Sequence, residues 1–149
     1  MKSLVAAILL FCVGFAKAQN IYPTKFAGCN TDHFTIESKV ESAKIEQSEL
    51  IKVVSEAIGS EKMAKIEGIL MLQIIVGKDG KSCLISLDNK TTIPTEELKI
   101  KDMIDSKLVW KVAPEKLSTM ISLRFSSGKI KEIKRYGLHG DLGFHELKK

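Results

Sequence analysis

The chain has 149 residues, 44% of them hydrophobic and 28% charged, with a formal net charge of +5. That length sets one small domain with a core of its own. Lysine outnumbers arginine 21 to 2, and basic and acidic residues are mixed along the chain. This excludes a nucleic-acid reader, which clusters its basic residues on one face and favours arginine for base contacts.

The first eighteen residues read as a signal peptide. Lys2 supplies the basic start, Leu4 to Phe15 the apolar run, and Ala16-Lys17-Ala18 the small-residue cleavage pattern before Gln19. The apolar run is about a dozen residues, short of the roughly 20 a bilayer span needs. Cys12 follows the bulky Phe11, where a lipoprotein signal requires a small residue. Cleavage removes Lys2 and Lys17, leaving 21 basic against 18 acidic side chains. The expected location is periplasmic or secreted, with no membrane span after cleavage.

Two cysteines remain, Cys29 and Cys83. An oxidising compartment permits a disulfide between them. Cys83, lying in a predicted strand beside Ile85 and Leu87, reads equally as a buried apolar thiol. Neither a metal-ligand spacing nor a CxxC redox motif is present.

Residues 19–35 form an irregular arm, punctuated by Pro23, Gly28, Asn30 and Asp32. From Ile36 to Ile58, Ile36, Val40, Ala43, Leu50, Ile51, Val54, Ala57 and Ile58 recur at steps of three and four, which predicts one amphipathic helix stopped by Gly59. A hairpin follows. Ile69 to Val76 is nearly all apolar, Gly77-Lys78-Asp79-Gly80 turns the chain, and Cys83, Ile85 and Leu87 alternate on the way back. Asp-Gly between apolar runs is a strong hairpin signal because glycine accepts the positive φ of the turn. The first strand is apolar on both faces, so something besides the helices has to cover the second.

Asp88 to Pro94 reads as a loop. Thr95 caps a second helix, with Glu96 and Glu97 in its first turn; Leu98, Ile100, Met103, Ile104 and Leu108 form its stripe and Trp110 sits at its end. Leu117 to Ser126 alternates as a strand. Ser127-Gly128 turns the chain into a more polar stretch, Ile130 to Tyr136, and residues 137–149 read as a loosely ordered tail. The fold class is therefore α+β: a small antiparallel sheet of three or four strands with two helices on one face, spanning residues 36–136.

No Ser/His/Asp, Cys/His or paired-carboxylate arrangement stands out, so no catalytic residue, enzyme activity or cofactor is assigned. His33 beside Asp32, and His139, Asp141, His145 and Glu146 in the tail, match no zinc spacing, so no metal is assigned.

The hairpin with Lys78-Asp79-Gly80-Lys81 at its turn, a helix closing on Trp110 ahead of Ala113-Pro114, and the strand MISLRF ending at Phe125 resemble the TonB carboxy-terminal domain family. The Phe26-Ala27-Gly28-Cys29 arm is similar to the Phe-Pro-Gly-Cys arm of short exported members from Bacteroidota-type bacteria. The family's usual Tyr-Pro pair is missing from Ala57 to Ala64, Val112 stands where its proline falls, and Cys29 lacks the partner cysteine expected in the first helix. The resemblance implies a TonB/TolA carboxy-terminal-like fold and a non-enzymatic protein-binding role. It also implies that the strand Ser118–Ser126 lies at a sheet edge and takes a partner's extended segment by β-augmentation. Ser118, Met120, Ser122, Leu123 and Arg124 are the partner-binding residues on that reading. With a cleavable signal and three prolines, the chain lacks the anchor and spacer of an energy transducer. The expected partner is a cell-envelope protein. The alternative is a structural module that self-associates through Ile69–Val76.

Overall fold

Strand β3, Gly68–Val76, pairs antiparallel with β4, Ser82–Thr91, through the turn in which the Gly77 N–H donates to the Lys81 carbonyl at 2.9 Å. This hairpin is the centre of a computed structural model that describes residues 20–111, 113, 115–138 and 143–147. Gly80 is required at the turn. Its φ is +79°, and a Cβ there would lie 2.3 Å from the Trp110 carbonyl oxygen. The Trp110 N–H in turn donates to the Gly80 carbonyl at 2.8 Å, fastening the far end of the second helical segment to the hairpin.

The other side of β3 pairs antiparallel with β5, Leu117–Ser126, in register from Gly68 opposite Phe125 to Val76 opposite Leu117. β5 then pairs with β6, Lys129–Leu138. Three short strands complete the sheet: β1, Thr24–Lys25, on β4; β2, Thr35–Ile36, parallel to the start of β5; and β7, Phe144–Glu146, on β6. The path is β1-β4-β3-β5-β6-β7 with β2 beside β5.

The helices are α1, Gln47–Ile58, α2, Ser60–Met63, and α3, Ile100–Lys107. Their apolar faces meet one face of the sheet. Leu70, Leu72, Ile74 and Val76 of β3 and Ile121, Leu123 and Phe125 of β5 join Leu50, Val53, Val54 and Ala57 of α1 and Ile100 and Ile104 of α3 in one buried cluster. Burying each aliphatic side chain there contributes about 1.5–3 kcal/mol. The second face holds a polar network. The Ser86 hydroxyl and the Ile21 N–H both donate to Gln73 Oε1, at 2.6 and 2.8 Å, and Gln73 Nε2 donates to the Ser118 hydroxyl at 3.2 Å. The amino-terminal arm therefore covers part of the face that the helices leave open.

A seven-stranded sheet with three α-helices among the described residues overturns the predicted sheet of three or four strands with two helices, and with it the TonB/TolA-like fold. The three added strands are two or three residues long, too short to show the period of two that marks a strand in sequence. Further corrections have local causes. The predicted helix from Ile36 starts only at Gln47, because Ile36 pairs in β2 and Glu37 N–H donates to the Ser118 carbonyl at 3.0 Å. Ser38 Oγ then accepts the N–H groups of Val40 and Glu41, an alternative to helix that serine offers readily. It leaves Val40 94% exposed. The second predicted helix is broken at Lys99, whose φ is +47°, into a single 3-10 turn at Thr95–Glu97 and α3. β4 continues through Asp88–Thr91, where a loop was expected, and the predicted tail supplies the end of β6 and all of β7. The signal segment, Cys12, Pro114, His139 and Asp141 lie outside the described residues.

Candidate protein-binding edge

The residues predicted to accept a partner strand do not lie on an edge. β5 is interior, bonded to β3 on one side and to β6 and β2 on the other. Ser118, Met120 and Leu123 are fully buried, Ser122 is half-buried, and the exposed Arg124 is ion-paired with Glu132 at 2.9 Å. Both sides of β5 are therefore occupied by strands of this chain.

The sheet's two outer borders differ. Along β4, the outer side is closed from Lys81 to Leu87. Lys81 bridges Val109, Asp105 Oδ1 accepts the Leu84 N–H at 2.7 Å, the Phe26 N–H donates to the Ile85 carbonyl at 2.9 Å, and β1 covers Ser86 and Leu87. Farther along, Asn89 Oδ1 takes the Thr91 N–H at 3.0 Å.

Among the described residues, the border at β6 is covered over only part of its length. β7 pairs only with Tyr136–Leu138, and the Leu147 N–H donates to the Arg135 carbonyl at 2.8 Å. That bond fixes Arg135 as a residue whose backbone faces outward, and alternation along the strand turns Ile133 the same way. From Lys129 to Lys134, no strand among the described residues pairs with this side. Beside it lies a groove of about 200 Å³ in which Ile45, Leu50, Ile133 and Leu147 are joined by the charged Lys134, Arg135 and Glu146. The surroundings are cationic. Lys134 meets Glu132 at 3.4 Å and Glu146 at 3.5 Å, and its pKa is raised chiefly by its hydrogen bond to Glu132. Lys129 and Lys131 make no ion pair among the described residues.

Compared with protein-family models, curated proteins and solved structures, the chain has no match. Function is therefore read from the geometry.

Cys29 and Cys83 form a disulfide with their Cα atoms 5.7 Å apart. Lys101 and Asp105 of α3, which sequence reasoning did not single out, lie against it. Lys101 Nζ is 3.5 Å from Cys29 Sγ and 3.6 Å from Cys83 Sγ, and it is ion-paired with Asp105. His145 lies in β7 opposite Gly137, and His33 and Asp32 border a separate surface cleft with Lys116 and Glu115. The two histidines are on different parts of the fold. No helix among the described residues is long and apolar enough to cross a membrane.

Proposed function

We propose that this protein is an exported, non-enzymatic protein-binding domain that takes an extended, acidic partner segment as an added strand on the outer side of β6. The observation that carries this reading is the border from Lys129 to Lys134, which no strand among the described residues pairs, lying beside a groove of mixed apolar and charged lining. In β-augmentation, backbone bonds along an edge supply affinity and a side-chain pocket supplies selectivity, and both elements are adjacent here. Lys129 and Lys131 favour acidic residues in the incoming segment. The binding mode is the one implied by the sequence resemblance, moved from β5 to β6. Export is supported by the pattern of Lys2 to Ala18 and by the disulfide, which persists in oxidising compartments.

A second copy of the chain is a poorer occupant. Two β6 borders set edge to edge would bring the Lys129, Lys131 and Lys134 clusters together, and lysines along an edge are a common device against such pairing.

Selection of a displayed peptide library against the purified domain tests the reading, with Ile133→Pro as the counter-target. Proline there removes an outward N–H and no bond to β5, and far-ultraviolet circular dichroism of the variant checks that it folds despite losing the Ile133 side chain from the edge of the core. Enriched acidic peptides that bind the parent and lose at least tenfold affinity for Ile133→Pro are the expected result. Equal binding to both proteins, or no enrichment, overturns it.

A further inference from the structure

The surroundings of the Cys29–Cys83 disulfide exceed what a covalent staple requires. The Lys101 ammonium touches both sulfurs, and Asp105 Oδ2 lies 3.7 Å from Cys83 Sγ. All four residues are half-buried rather than sealed in the core. Lys101 also lines a cleft of about 320 Å³ together with Phe26, Thr95 and Ile100, although neither cysteine reaches it. Finally, the chain on either side of Cys29 is held without the disulfide. Thr24 and Lys25 pair with β4, and the Thr35 N–H donates to the Lys116 carbonyl at 3.0 Å.

We propose that Cys29–Cys83 is a thiol–disulfide exchange site reduced by a dithiol, with Lys101 holding the thiolate that leaves. One thiolate of the dithiol attacks a cysteine sulfur. The S–S bond breaks and its electron pair departs on the other cysteine, whose thiolate the ammonium stabilises. The second thiolate of the reductant then attacks the mixed disulfide, closing the reductant's own disulfide and releasing the first cysteine. The dithiol loses two electrons, the pair gains two, and the dithiol's two protons pass through solvent to the released sulfurs. A cation beside the sulfur lowers the basicity of the leaving thiolate, which speeds the step.

A metal site is the competing use of the same atoms, since Cys29 Sγ, Cys83 Sγ and an Asp105 oxygen lie within 4.8 Å of one another. The ammonium argues against it: it lies within 3.6 Å of both sulfurs and is ion-paired with Asp105, so a positive charge already serves the ligand set.

The test compares the parent with Lys101→Met and Lys101→Arg in three measurements: the rate of reduction by dithiothreitol, the thiolate absorbance of the reduced protein against pH, and near-ultraviolet circular dichroism before and after reduction. In the parent, a thiol is expected to titrate below the ordinary value of about 8.5. Lys101→Met should raise that titration by about one unit and slow reduction about threefold. Lys101→Arg should stay close to the parent, and the folded spectrum should survive reduction. Unchanged rate and titration in Lys101→Met overturn the proposal, as does unfolding on reduction. Stoichiometric Zn²⁺ uptake by the reduced parent also overturns it, in favour of a metal site.

Discussion

The Arg135 guanidinium lies against the Glu37 carboxylate, tying β6 to the residue that follows β2 across 98 positions of sequence. The Glu37 side chain is wholly buried and also accepts a hydrogen bond from the Ser42 hydroxyl at 2.6 Å. Arg135 stacks above the Trp110 ring, its Cζ 5.0 Å from the centroid. The indole N–H in turn donates to the Ser82 hydroxyl at 2.8 Å. One buried ion pair thus joins the segment after β2, the outer strand and the end of the helical segment. Removing one member of such a pair strands the other charge in a low-dielectric site, at about 3–5 kcal/mol. Arg135→Met is expected to lose that much in urea unfolding. The double variant Glu37→Leu/Arg135→Met is expected to be more stable than Arg135→Met alone.

Leu72 sits at the middle of β3, fully buried, with β4 and β5 on either side. Leu72→Ala removes methyl groups from a site whose backbone is fixed by both neighbours, so the cavity cannot collapse. A loss of about 2–5 kcal/mol follows. Ile69, on the opposite face of the same strand, is only half-buried, and Ile69→Ala should lose less than half as much in the same measurement.

What could be read from sequence follows element length. Leu70, Leu72, Ile74 and Val76 alternate over a full strand, Asp79-Gly80 marks its turn, and Leu117 to Ser126 alternates over ten residues. The short strands at Thr24, Thr35 and Phe144 exist only because a neighbouring strand offers backbone partners, which residue type does not encode. The edge was misassigned for a related reason. The alternation of Ser122 with Ile121 and Leu123 reports which face is buried, whereas a free hydrogen-bonding side depends on which strands lie next in space. Lys101 and Asp105 read locally as an ordinary i,i+4 pair on a helix. The contact of Lys101 with sulfurs 72 and 18 positions away is set by the sheet.

Two glycines with positive φ separate backbone strain from crowding. Gly28 has φ +92° and open space where a Cβ would lie, whereas Gly80 has φ +79° and the Trp110 carbonyl 2.3 Å away. Gly28→Ala should therefore lose only the ~1–2 kcal/mol of left-handed backbone. Gly80→Ala should lose clearly more, because the hairpin turn and the Trp110 segment have to move apart. Trp110 is the only tryptophan, so a shift of its fluorescence in Gly80→Ala and none in Gly28→Ala checks the assignment. Equal losses in the two variants would contradict it.

Tyr22 makes the docking of the arm sensitive to alkaline pH. Its N–H donates to the Ser86 hydroxyl at 3.3 Å, one residue after Ile21 engages Gln73. Burial, followed by the proximity of Tyr136 and Asp88, pushes the phenol up from 10.0 to about 12. The folded state therefore holds the phenolic proton more tightly than the unfolded chain does. Below pH 10 both states are protonated and the contribution to stability is complete. Between pH 10 and about 12 the unfolded chain ionises while the folded one does not, so stability falls and the contribution is gone above that range. β1 is only two residues long, so the loss should begin in the arm, with faster hydrogen exchange at the Ile21 amide before the amides of β3 respond. Tyr22→Phe has no phenol to ionise, and its urea midpoint should fall less steeply over the same window. A slope identical to the parent's would show that another group governs the alkaline transition and that the arm docks independently of the phenol.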